Sequence, residues 1–502
     1  MVIHNQQSGK DVTDRLDGVE FQLAWPSISR SFGANGHFVW HAQPIEATLT
    51  LSDFFSALSG DRSGVKLRLS GAPVKVAFDG ATSYQPTLKI EGTLSVESPS
   101  LREAMRWTDG SKVPFGGFGR FALRAQSQIG NGVVSLSGVN VELDGNTAEG
   151  VLTLATGSHR AVQGTLAADA LDLTPYVASI RLLAANEHTW DQLPIALDGL
   201  SDFNLDLRLS AATIKIATAQ LGRTAIAANI RGSKLDLTIG ESQAFGGIAK
   251  GSLGLAGTDG GVAVTSHLQF IDVDLASCLG QVFGFHRLEG RGNLTVDVEG
   301  SGTSVMAVTN TLTGTASLAA HNGALGGVNV EEWLRRLERR PLSGNGDYRS
   351  GRTPFDQFAL SLKIAQGLVS IDDMHIEGPA VRIAAGGQAS VPTREVDIKG
   401  VATLISNATG NQFDLPFVVQ GPWENPDMLP DAQSLIRRSG AAAPLLDAIK
   451  DRGVGSAVHS VIDQILATPA AAPAPPATPA PAPTRPALPA ASTPAAAPKS
   501  AE

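Results

Sequence analysis

The chain has 502 residues, of which 42% are hydrophobic, only 5% aromatic and 17% charged, with 54 glycines among them. That length allows two or more ordinary domains or one very extended sheet. A net charge of −9 without a basic block argues against nucleic acid as a partner, and a single cysteine, Cys278, rules out an internal disulfide.

The opening stretch, MVIHNQQSGKDVTDRLDG, shows no charged segment followed by an apolar run, so no signal peptide or membrane anchor is expected in the chain as written. No run of about 18 uninterrupted apolar residues occurs elsewhere, so no transmembrane helix is expected. Residues 1–97 read as strand after strand. Leu67 and Leu69 fall on one face of a strand, and Val74, Val76 and Phe78 continue the alternation. Ser52 is expected to cap a short helix through Leu58, ended by Gly60. Ser100 and Glu103 have the spacing of a capping box, which starts a second helix at Leu101–Trp107 that Gly110 closes. Strands resume from Phe118 to Leu173, and Thr174–Pro175 opens a helix expected to run to about Ala185.

From Leu197 to Leu255 the alternation is cleanest. NLDLRLS (Asn204–Ser210) and KLDLTI (Lys234–Ile239) each point three branched aliphatics to one side. Asp274–Phe283 reads as a short helix. Asn293–Glu299 alternates Leu294, Val296 and Val298 with polar residues. A Gly-rich turn at Gly323–Asn329 precedes a helix begun by Asn329 and Glu332. Arg335, Arg336, Arg339 and Arg340 suit the negative end of that helix. Strands return at Phe358–Ile364, Leu368–Ile376, Val381–Ala385 and Glu395–Val419. One or two amphipathic helices are expected between Asp431 and Ala467, and the Ala/Pro-rich remainder should be an extended tail without a core. Glycine-led strands recur at unequal intervals, so a regular β-helix or propeller is not expected.

No pattern of reactive groups stands out. His37 and His41 bracket HFVWH, which alternates like a strand and would hold the two rings roughly 13 Å apart, too far for one metal. Asp202, Asp206, Asp297 and Glu299 fall on polar strand faces, as solvated residues do. GALGGVN lacks the GxxxxGK[ST] and GxGxxG spacings, and no GxSxG elbow occurs. Cys278 is expected to be a buried, inert thiol. The expectation is therefore a non-enzymatic protein without metal or cofactor.

Several segments, in order, resemble the AsmA family of bacterial envelope proteins. Ala170–Val177 (ALDLTPYV) is similar to its LDLxPYL element, and Ala219–Gly257 to its strand pair, GG turn and G-x-L-x-L run. Leu288–Asn329 is similar to its LxGxGxLxLxLxGxG…LxGxxxLxxxNGxLxGxN segment, and Gly421–Asp431 (GPWENPDMLPD) to its closing GxWxxPxxxPD motif. The likeness covers about 200–431 best and does not extend to the Ala/Pro tail.

The resemblance implies an elongated, curved antiparallel β-sheet forming an apolar groove, with a few short helices. It also implies a periplasmic body, tethered to the inner membrane in relatives through an anchor missing here, and a part in moving phospholipid toward the outer membrane. On this reading 1–200 is the N-terminal part of the groove and 201–430 the AsmA-like β-rich region. A helical segment at 431–467 and a disordered tail at 468–502 complete the chain. Phospholipid acyl chains would be the ligand, lined by Leu205, Leu207, Leu209, Leu235, Leu237, Ile239, Leu294, Val296, Val298, Leu360, Leu362 and Ile364. The alternative is a scaffold or chaperone that pairs its sheet edges with outer-membrane assembly components. From the alternation alone, the same twelve side chains could instead fill a closed sandwich.

Overall fold

A computed structural model describes residues 2–431 apart from 8–9, 28–29, 85–86, 110–115, 157–159, 178–188, 196, 198–202, 340–350 and 406–412. They belong to one compact unit, Met1–Leu435. The expected helices of 431–467 and the Ala/Pro tail lie outside the described residues.

The first part of the unit contains β1 (Val2–Gln7), β2 (Lys10–Ala24), β3 (Phe32–Trp40), β4 (Gln43–Leu51), α1 (Phe54–Ser59), β5 (Ser63–Gly71), β6 (Lys75–Ser83) and β7 (Lys89–Ser98). Next come α2 (Leu101–Asp109), β8 (Phe121–Gly130), β9 (Val133–Leu143), β10 (Asn146–Ala155), β11 (Arg160–Asp172) and α3 (Thr174–Val177). Then follow β12 (Phe203–Ile216), β13 (Ala219–Leu221), β14 (Thr224–Arg231), β15 (Lys234–Ala244), β16 (Gly247–Thr258), β17 (Gly261–Asp274), α4 (Leu275–Phe283), β18 (Leu288–Gly302), α5 (Val305–Thr311) and β19 (Thr313–Gly326). The last elements are α6 (Val330–Arg339), β20 (Arg352–Ala365), β21 (Leu368–Glu377), β22 (Val381–Ser390), β23 (Glu395–Leu404), β24 (Phe413–Pro422) and β25 (Asp427–Pro430).

Apart from the short β13, which pairs only with β12 while β12 also pairs with β14, each strand pairs with the next in sequence, so the unit is one long sheet from β2 to β25, and it does not close on itself. Short turns set this order, because antiparallel neighbours need only two or three linking residues. Asn131–Gly132, Asp144–Gly145 and Gly232–Ser233 supply the positive φ such turns demand.

One junction departs from the expected antiparallel pattern. β11 and β12 run parallel, with Val162 beside Leu205 and Leu166 beside Leu209. A parallel pair needs a crossover, and residues 173–202 provide it. Because strand direction alternates, α1 and α5 lie on one rim of the sheet, the upper rim. α2, α3, α4 and α6 lie on the opposite, lower rim. The crossover leaves β11 at the lower rim and is held at the upper one, where Pro194 bridges Ser304 and the Ile195 N–H donates to the Thr303 carbonyl at 2.9 Å.

The helices begin as their caps dictate, with one shift. Asp53, not Ser52, caps α1, its carboxylate accepting the Ser56 N–H at 3.0 Å, while the Ser52 hydroxyl accepts from Gly64 N–H on β5. A carboxylate so placed also favours the helix dipole, which the hydroxyl one residue earlier could not do. Ser100 caps α2, Asp274 caps α4 and Asn329 caps α6. The helix expected to reach Ala185 is described only as α3, the remainder falling on 178–188. α5 was not anticipated from the alternation. The Gly-rich GALGGVN stretch is mostly strand, with β19 continuing to Gly326 and turning only at Gly327, whose φ is +85°.

The largest core lies under the C-terminal strands. Trp333, Leu334 and Val330 of α6 and Leu275, Cys278 and Leu279 of α4 pack with Phe270, Phe355, Phe358, Ile376, Leu415 and Phe417. α6 touches β20, β23 and β24, so the sheet curves around it. Two smaller clusters sit near the parallel junction, one around Ala125, Leu136 and Val139 and one around Leu171 and Ile214.

Candidate functional site: an apolar wall on one face of the sheet

Strand register decides whether the twelve aliphatic positions share a surface. Leu205, Leu207 and Leu209 on β12 lie opposite Ile230, Ala228 and Ile226. Those three lie opposite Leu235, Leu237 and Ile239, which in turn face Leu255, Leu253 and Gly251. Beyond them, Leu268 pairs Val296, Ser266 pairs Val298 and Phe270 pairs Leu294. Leu318, Ala316 and Gly314 then carry the rows from Leu294, Val296 and Val298 to Leu360, Leu362 and Ile364. Directly paired residues project from the same side. All twelve therefore lie on one face, in rows that cross β12 to β20 and are interrupted at Gly251, Ser266 and Gly314.

Their surroundings differ. Leu294 is 6% exposed and belongs to the core beneath α6, with Val296 and Leu360 packed against it. Leu207 and Leu209 pack against the cluster containing Leu136 and Leu166. Leu205, Leu235, Leu237, Ile239, Val298, Leu362 and Ile364 are half-buried, and among the described residues they join none of the buried clusters. The twelve thus divide into a wall and the two packed regions that flank it. The alternate residues Asn204, Arg208, Lys234, Thr238, Ser361 and Lys363 are exposed on the other face.

α5 limits the wall at the upper rim. It lies over the end of β18 against Gly300 and Gly302, and a Cβ on Gly302 would stand 2.6 Å from Ala307. Glycine is required there because the helix backbone sits directly on the strand. Below, Arg291 braces the bulge in β17. Its guanidinium donates to both carboxylate oxygens of Asp272 at 3.0 and 2.8 Å and to the Asp272 carbonyl at 2.7 Å. That hydrogen-bonded pairing, ahead of simple charge attraction, holds the Asp272 carboxyl below its usual range.

The opposite face carries charge without a reactive arrangement. His267 pairs with Asp297 and His375 with Asp373, all about half exposed. A shallow depression lined by Thr265, His267, Asp297 and Thr315 is open to solvent. Asp206 pairs across the sheet with Asn229, and Glu299 with Thr265 and Thr313. Asp202 lies outside the described residues. His37 is on β3, whereas His41 sits in the following turn with Nδ1 2.7 Å from the Trp107 carbonyl oxygen. Among the described residues no three His, Cys, Asp or Glu side chains converge as metal ligands. Cys278 is fully buried in α4, and burial pushes its thiol up to about 12.

With this geometry in place, comparison with known proteins adds one decisive observation. The sequence model of the AsmA family matches residues 179–374, which include every one of the twelve wall and flanking positions. Over these residues the chain is similar to the AsmA family. Protein AsmA of Escherichia coli (strain K12) is 20% identical over 261 residues, covering 48% of this chain and 41% of that protein. The chain therefore spans less than half the length of that relative. No solved structure matches the chain significantly. AsmA is a bacterial envelope family, so the match supports an envelope-related role. Among the described residues no helix is long and apolar enough to cross a membrane.

Proposed function

We propose that this chain is a non-enzymatic periplasmic protein that binds phospholipid by its acyl chains and conducts it along the apolar wall between inner and outer membrane. The observation that carries this reading is the set of half-buried aliphatics from Leu205 to Ile364, aligned in register on one face and outside the packed cores. An acyl chain of about sixteen methylenes exposed to water costs on the order of 12 kcal/mol, at roughly 0.8 kcal/mol each. Contact with branched aliphatics relieves that cost without fixing the chain's position, because the attraction has no direction. Rows made mostly of aliphatic side chains therefore suit a lipid that must slide. The exposed polar face keeps the other side of the same strands in water.

The test is the lipid content of the purified protein. Mass spectrometry of organic extracts is expected to find phospholipid with the wild type and several-fold less with Leu237→Asp, whose melting temperature should stay close to wild type. Equal lipid in both, or none in either, would count against the proposal.

A second reading, a scaffold for outer-membrane proteins, is favoured by one feature. β1 covers only Lys10–Arg15 of β2, and among the described residues no strand pairs with the far edge of Asp17–Ala24. Such an edge can accept a strand from another chain. Backbone crosslinks from this edge to nascent β-barrel strands, unaffected by Leu237→Asp, would support it.

A further inference from the structure

α1 is a helix that buries none of its residues. A six-residue helix has little stability of its own and normally depends on packing of its apolar side. Here Phe55 is 48% exposed and Leu58 68%. Around it the upper rim gathers further apolar groups. Trp25 meets Phe54 edge-on at 4.9 Å and Phe55 at 5.3 Å, and Phe54 stacks on Phe32 at 4.6 Å. The Tyr84 N–H donates to the Gly60 carbonyl at the end of α1, which brings a 66% exposed tyrosine to the same place.

We propose that this rim, with Trp25, Phe55, Leu58 and Tyr84 at its tip, docks into the interfacial layer of a phospholipid bilayer. Three features select a bilayer over a protein. Trp and Tyr join an apolar ring to a polar N–H or hydroxyl, the combination favoured at the boundary between headgroups and hydrocarbon. The patch is small, a handful of side chains, whereas a stable protein interface takes about 20–30 residues a side. Exposed Arg30, Arg62 and Lys89 stand at the same strand ends, against Asp61 and the helix cap Asp53, an excess of cations that suits anionic headgroups.

The tip also opens onto the apolar face. Leu23 pairs Ala34, Ala34 pairs Leu49, Leu49 pairs Leu67 and Leu67 pairs Phe78, one row leading inward from the edge strand. Hydrocarbon reaching the rim would meet a surface continuous with the sheet's apolar side. Docking itself does not depend on lipid entering the wall, so the two ideas can fail separately.

Flotation of the full chain with vesicles of phosphatidylethanolamine and phosphatidylglycerol tests the proposal. The wild type should rise with the vesicles. A Phe55→Ser, Leu58→Ser double variant should bind about tenfold more weakly or worse, since two inserted apolar side chains are lost. Leu58→Ser alone should lose part of the binding with an unchanged melting temperature, which separates docking from folding. Leu237→Asp should float as the wild type does. The proposal is overturned by a wild type that stays at the bottom of the gradient, the result expected of a site for a protein partner. It is equally overturned by a double variant that floats normally, or by Leu237→Asp abolishing flotation.

Discussion

The Trp190 indole N–H donates to the Val391 carbonyl at 2.7 Å, joining residues 201 positions apart in the chain. The Arg394 guanidinium lies 5.4 Å from the ring centres of both Trp190 and Trp423, and it pairs with Glu424. Nearby, the Asp191 carbonyl accepts the Met306 N–H at 3.0 Å. The crossover that creates the parallel junction is thus strapped to the upper rim of the C-terminal strands. Trp190→Ala removes a hydrogen bond, a cation–π contact and aromatic packing, and should cost about 2 kcal/mol. Limited proteolysis should then cut between residues 178 and 202 faster than in the wild type, while cleavage elsewhere stays unchanged.

Burial separates core from wall, so equal truncations should not cost the same. Leu294→Ala, in the core beneath α6, should destabilise by about 3 kcal/mol. Leu237→Ala should cost only about 1 kcal/mol, since its side chain gives up less burial and leaves no closed cavity. Urea unfolding of the two variants checks the difference. Equal losses would mean that Leu237 is core after all.

Gly302 marks where α5 rests on β18, and its replacement should be felt there first. Gly302→Ala should destabilise by about 2 kcal/mol through overpacking. Gly138→Ala tests a different effect, because no atom lies within 4 Å of a Cβ there and only its φ of +53° is strained. A milder loss, of about 1 kcal/mol, is expected at that position. Thermal melts of the two variants give the comparison.

Two titrating groups give opposite pH responses. Asp272 has its folded pKa depressed by Arg291, so its contribution is present above the unfolded value and is lost as pH falls through the folded one. Asp272→Asn should therefore melt less steeply with acid below about pH 4 than the wild type does. Cys278 is raised instead, so the folded state holds its proton longer and stability falls as pH climbs from the ordinary thiol range toward about 12. At neutral pH a thiol reagent should label Cys278 only at the rate at which the protein opens.

Much of the sheet was legible in the residues themselves. Leu294, Val296 and Val298 alternate with polar partners, and a period of two has only one structural meaning over so many short segments. The caps at Ser100 and Asn329 were legible too, because a side-chain acceptor three residues before an unpaired N–H is a local event. Ser52 misled by one position, since Asp53 beside it caps equally well and adds charge. α5 was hidden because Ser304 follows a glycine-rich strand end and the helix is held by contact with Gly300 and Gly302, which is tertiary. The parallel step from β11 to β12 was hidden for the same reason, as register across a long crossover leaves no local mark. Nor could alternation divide Leu294 from Leu237. Which apolar residues α6 covers depends on packing between elements far apart in sequence.

Adjacent residues on β15 give the most direct test of the lipid wall. Leu237 projects into the apolar rows and Thr238 to the exposed face. A photoreactive benzoyl-phenylalanine placed at Leu237 in cells should form phospholipid adducts, detected by mass spectrometry of the purified chain, and the same probe at Thr238 should form none. Absence of adducts at Leu237, or equal labelling at both positions, would contradict the account.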